Sequence, residues 1–95
     1  MSKFELRVKV QSIGDTVEVG DKGFKKREVI GMVEGEYPEF FKFEFIQDNV
    51  ILPDDLIEGT YATITFNLKG RKVASKKSDQ PDNFFTTLQA WKVEI

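Results

Sequence analysis

The chain has 95 residues with 14 basic and 16 acidic side chains, a net charge of −2, and neither cysteine nor histidine. Those two absences exclude disulfides, thiolate metal sites, the usual zinc ligand and the usual general base, while the length suits one compact domain over 1–95 that buries roughly 60–70% of its unfolded surface. The opening MSKFELRV lacks the apolar stretch of a secretory signal and no run is long enough to cross a bilayer, so a cytoplasmic protein with no membrane partner is expected.

Alternation with a period of two, the mark of a strand with one buried face, begins at once. Phe4, Leu6, Val8 and Val10 alternate with Glu5, Arg7, Lys9 and Gln11, which predicts a first strand. A turn at Gly20-Asp21-Lys22-Gly23 leads into a second, rich in β-branched residues, over 24–33. After Tyr37-Pro38, the run EFFKFEFI turns Phe41, Phe43 and Phe45 inward and Lys42 and Glu44 outward. The next segment, QDNVILPDDLIEG, is the one helix candidate, with Asp48 as N-cap, Gly59 as end signal and Pro53 limiting it to one or two turns. A fourth strand, YATITFNLK, points Ala62, Ile64, Phe66 and Leu68 inward; the polar loop KGRKVASKKSDQPDN separates it from a fifth over 84–94. Three strands, a short helix and two strands give the order of an all-β, five-stranded OB-fold, a Greek-key barrel. An SH3-like barrel or open sandwich competes on strand count and lacks the helical segment after the third strand.

The position of the charge says more than its sum. Lys22, Lys25, Lys26 and Arg27 form one basic cluster; Lys69, Arg71, Lys72, Lys76 and Lys77 form a second that contains no acid. Between them, from Glu34 to Glu58, eight carboxylates face Lys42 alone. In an OB-fold the clusters fall on the loop joining strands one and two and the loop joining strands four and five, which flank the face that this fold uses for oligonucleotides and oligosaccharides. A lysine-rich turn alone is often only solvated. Two such loops on one groove can follow a phosphate backbone and release its counterions, while acidity elsewhere limits nonspecific association.

Aromatic rings supply stacking platforms for unpaired bases. Alternation assigns Phe4, Phe41, Phe43, Phe45 and Phe66 to the core. Phe24 lies inside the first basic cluster, and Phe84 and Phe85 open the last strand beyond the second, so these three are the stacking candidates. Tyr37 and Phe40 stand among carboxylates, and Tyr61 and Trp91 read as half-buried barrel residues.

Asp54-Asp55 with Glu58 could be written as a magnesium site, since Mg²⁺ takes one or two carboxylates plus substrate phosphates; an acidic turn beside a proline is the simpler reading. Neither a phosphate loop nor a nucleophile elbow is present, so no enzyme activity, metal or cofactor is expected. The competing function is a protein–protein interaction module whose working surface is the acidic stretch 34–58, and edge strands pairing between chains would make a homodimer.

The segments KGFKKREVIG, EYPEFFKFEFIQDN, FNLKGR and FFTTLQAWKVE, in that order, give the stretch from Phe24 to Glu94 a marked likeness. It resembles a family of small bacterial and bacteriophage proteins, long described as a domain of unknown function and now as OB-fold single-stranded-DNA-binding proteins. The resemblance implies largely sequence-nonspecific binding of single-stranded DNA in replication, recombination or repair, with proteins of those processes as further partners. Its motifs cover Phe24, Lys25, Lys26, Arg27, Lys69 and Arg71, whereas the lysines from Lys72 to Lys77 fall in a variable loop; Pro53 interrupts a stretch that is more regularly helical in relatives. DNA and RNA share phosphates and stackable bases, so the residues leave RNA open and the likeness alone points to DNA.

Overall fold

The computed structural model describes residues 3–76 and 79–95. Its elements are β1 (Phe4–Ile13), β2 (Val17–Val19), β3 (Phe24–Val33), β4 (Glu39–Ile46), a 3₁₀ helix η1 (Gln47–Asp55), β5 (Tyr61–Val73) and β6 (Asn83–Glu94). Five strands close into the expected OB-fold barrel. β1 pairs antiparallel with β3 and with β5, β3 with β4, and β5 with β6. A short parallel contact, Phe43 opposite Leu88 and Glu44 opposite Gln89, shuts the barrel between β4 and β6. β1 reaches both neighbours because its register with β3 shifts between Val10 and Ser12, and a bulge of this kind bends the strand.

The alternation read from the sequence positions the core. Val8, Val10, Val29, Phe43, Phe45 and Ile64 are at most 1% exposed, and Phe66 packs edge-on against Phe43 with ring centroids 5.4 Å apart. Gly31 is required by close approach: a Cβ there would lie 2.7 Å from the Val8 side chain and 3.1 Å from the Phe43 ring. Two residues expected inside are not. Phe4 stacks on Phe66 at 5.8 Å but remains 44% exposed at the barrel rim, and Leu68 is 45% exposed. Phe41 is half-buried.

Three further expectations change. β2 was not foreseen, because all three of its residues are exposed and no buried face marks the strand; it extends the start of β3, with Val17 opposite Lys26 and Val19 opposite Phe24. The polar stretch after the fourth strand is in large part not a loop: β5 and β6 continue as a paired arm, from Lys69 opposite Thr87 to Val73 opposite Asn83. In η1 the N-cap is Ile46, without a side-chain cap, and Asp48 sits in the first turn. Pro53 lies inside the helix instead of ending it after one or two turns, because its ring is buried in the core and its carbonyl accepts the Leu56 N–H at 3.0 Å. Gly59, at φ +90°, serves the turn into β5, where its N–H donates to the Val10 carbonyl.

Candidate nucleic-acid interface

On a strand, residues two apart share a face, and the ladders of this barrel bring such sets from four strands together. Phe24 and Lys26 of β3, Glu44 and Ile46 of β4, Lys69 and Arg71 of β5, and Phe85, Thr87 and Gln89 of β6 line one open cleft of about 600 Å³ on the outer face of the barrel. Registers explain the convergence: Lys26 stands opposite Ile46, Glu44 opposite Gln89, Lys69 opposite Thr87 and Arg71 opposite Phe85. The β2–β3 hairpin, whose turn is made by Gly20 at φ +79° and Gly23 at φ +68°, forms one bank. The β5–β6 arm, closed at its turn by the Ser75 N–H donating to Asp82, forms the other.

The charges within the cleft are not equivalent. Lys26 stands 3.5 Å from Glu28 and 3.5 Å from Glu44, and Lys42 also reaches Glu28 at 3.5 Å, so the β3–β4 floor is a mutually neutralising network. Across the cleft, Lys69 and Arg71 have no carboxylate partner among the described residues. The Arg71 guanidinium lies 5.7 Å from the centre of the Phe85 ring, a cation–π distance that sets a cation and a flat ring side by side. Phe85 is 50% exposed and Phe24, on the opposite bank, 37%.

Several sequence candidates stand elsewhere. Arg27 is structural: its side chain is only 16% exposed, Nε donates to the Gly14 carbonyl at 2.8 Å, and the guanidinium also donates to the Val50 carbonyl at 3.1 Å and the Asp54 carboxylate at 2.7 Å. It ties the end of β1 to η1 across β3. Lys25 projects to the other side of its strand, where it lines a separate cleft with Gln47, Asp48, Val50 and Ile51, and its N–H donates to the Gln47 side chain at 3.1 Å. Lys72 and Phe84 oppose one another on the rung next to Arg71 and Phe85 and so occupy the reverse face of the arm. Lys22 and Lys76 are exposed in the turns at the two bank ends. Lys77 lies outside the described residues.

Two of the three acids considered for magnesium have other tasks. Asp54 holds Arg27, and the Glu58 carboxylate accepts the Ile13 N–H at 2.9 Å. Tyr61 is 43% exposed and its hydroxyl donates to Glu34, a bond that with the nearby negative charge raises the phenol above its usual pKa.

The sequence reading named none of Ile46, Thr87 and Gln89, which line the floor, and took Trp91 for a half-buried barrel residue, whereas it is 38% exposed. Ile46 reads as an ordinary apolar strand residue, and Thr87 and Gln89 are uncharged polar positions with no compositional signal. Alternation with the buried Ala90 and the partly buried Leu88 turns Gln89 and Trp91 outward. Gln89 also borders a second cleft, of about 330 Å³, that contains Trp91.

Barrel topology and cleft together define a class: an OB-fold module with a ring-lined cationic groove between two β arms. Within that class, the chain belongs to the family described as domain of unknown function (DUF3127), which it matches over residues 5–94. No curated protein matches the sequence. Among solved structures it is similar to Rim1, a mitochondrial single-stranded DNA binding protein from S. cerevisiae. One crystal form superposes with a TM-score of 0.69 at 7% identity, covering 99% of this chain and 93% of Rim1. A second gives 0.65 at 5% identity, covering 99% and 94%. At such identities the likeness is one of fold.

Proposed function

We propose that the protein binds single-stranded DNA along the cleft between its two arms. The observation that carries this reading is the grouping of Lys69 and Arg71, cations without carboxylate partners among the described residues, with the exposed rings of Phe24 and Phe85 in one open groove. Cations follow a phosphate backbone, and rings stack unpaired bases with little regard to sequence. A fold shared with mitochondrial single-stranded DNA binding proteins supports the same assignment. On this reading the protein serves DNA replication, recombination or repair by holding strands, and its chemistry is binding without catalysis.

The competing reading rests on the β3–β4 turn and the start of β4, where Tyr37 is 83% and Phe40 58% exposed beside Glu34, Glu36 and Glu39. An acidic surface carrying exposed rings suits a basic protein partner. Fluorescence anisotropy distinguishes the two: labelled oligothymidine is bound at moderate salt, and a duplex of equal length much more weakly. Failure to bind any single strand, together with capture of a basic protein lost on Tyr37→Ala and Phe40→Ala, would transfer the function to the acidic turn. An oligouridine of equal length measures the preference for DNA over RNA.

A further inference from the structure

A second cleft adjoins the first. It is lined by Lys3, Asn49, Asn67, Gln89, Ala90 and Trp91 and encloses about 330 Å³, near the lower end of the roughly 300–1,000 Å³ of small-ligand sites. Gln89 lines both clefts, so the two are neighbours on the barrel surface and meet at this one side chain.

Its construction favours a flat, hydrogen-bonding ligand. The β5–β6 register shifts between Thr65 and Phe66, from Lys92 to Ala90, and Trp91 is the residue passed over. This bulge leaves the indole 38% exposed while Ala90 stays in the core. The ring is oriented by its Nε1–H, which donates to Asn67 Oδ1 at 3.3 Å. The Lys3 ammonium stands 5.7 Å from the ring centre, where the electron-rich face attracts cations and π systems alike. Three amide side chains, Asn49, Asn67 and Gln89, surround it, and each amide offers both donors and an acceptor. The first cleft has its cations and two phenyl rings; this one combines an indole with the groups that satisfy a base edge.

We propose that the Trp91 cleft is a second nucleobase subsite on the same strand path. A base stacks on the indole in place of the Lys3 ammonium, its edge meets the amides of Asn49 and Gln89, Asn67 acts as the positioning residue for the ring, and Lys3 turns to a neighbouring phosphate. This rests on the reading of the first cleft as a single-strand interface, and the test separates the two.

Trp91 is the only tryptophan in the chain, so its emission reports on this site alone. Full-length protein is titrated with labelled oligothymidine in dilute buffer while oligonucleotide anisotropy and tryptophan emission are followed together. The subsite predicts that emission is quenched in step with the anisotropy rise, and that quenching persists at saturation in Phe85→Ala. Trp91→Ala then binds about 5- to 150-fold more weakly, which corresponds to the roughly 1–3 kcal/mol of one stacked base, whereas Trp91→Phe keeps most of the affinity. An anisotropy rise with unchanged emission, or undiminished affinity in folded Trp91→Ala, overturns the subsite and leaves the first cleft standing. No anisotropy rise at low salt overturns both.

Discussion

Arg27 and Arg71 carry the same charge to different ends. Arg27 spends its donors on Gly14, Val50 and Asp54 inside the fold, whereas Arg71 lies beside an exposed ring on the open arm. Replacing Arg27 by alanine is therefore expected to lower stability by about 1.5–3 kcal/mol, the worth of hydrogen bonds to a charged group, as read from a urea midpoint, with the affinity of the folded protein for oligothymidine unchanged. Phe85→Ala should do the reverse, weakening binding by about 1–3 kcal/mol in an anisotropy titration while the urea midpoint stays in place. Glu44 offers a test of opposite sign. It pairs with Lys26 on the groove floor, so Glu44→Gln releases a cation and removes a charge that repels phosphate; oligothymidine should bind more tightly at low salt. Unchanged binding would place the strand away from this floor.

At the scale of elements, what the sequence revealed follows from burial. β1, β4 and the first half of β5 each have one face in the core, and their alternating residues announce it: Val8 and Val10, Phe43 and Phe45, Ala62 and Ile64 are all buried. β2 and the arm from Lys69 to Val73 have no such face, being exposed throughout, and only hairpin pairing with β3 and β6 makes strands of them. The same cause blurred the site. Cations assigned to two loops stand on paired strands, where alternation divides them: Lys26 and Arg71 face the groove, while Lys25 and Lys72 face away. No composition-based reading separates neighbours that a pleat turns to opposite sides. Gly31 tests the core packing at this scale, since Gly31→Ala drives a methyl into Val8 and Phe43 and should destabilise the barrel by about 1–3 kcal/mol, as overpacking does, in thermal or urea unfolding. The arm is tested as a unit by Lys69→Ala with Arg71→Ala, which should flatten the salt dependence of binding by about 1.4 in slope, 0.7 for each phosphate no longer neutralised.

For the whole molecule, a net charge of −2 is compatible with binding a polyanion because the relevant field is local. Charges separated by more than a Debye length, about 8 Å at physiological salt, are largely screened, and Glu34 and Glu36 of the β3–β4 turn are not among the residues that line the cleft with Lys69 and Arg71. The central claim is that two stretches far apart in sequence meet as the banks of one groove for a single strand. Its most direct test is the affinity of the full-length protein for oligothymidine across a series of salt concentrations. The account predicts a linear fall of log K with log[salt], at least as steep as about −1.4 if Lys69 and Arg71 each neutralise one phosphate. A flat dependence, or no binding in dilute buffer, would contradict it.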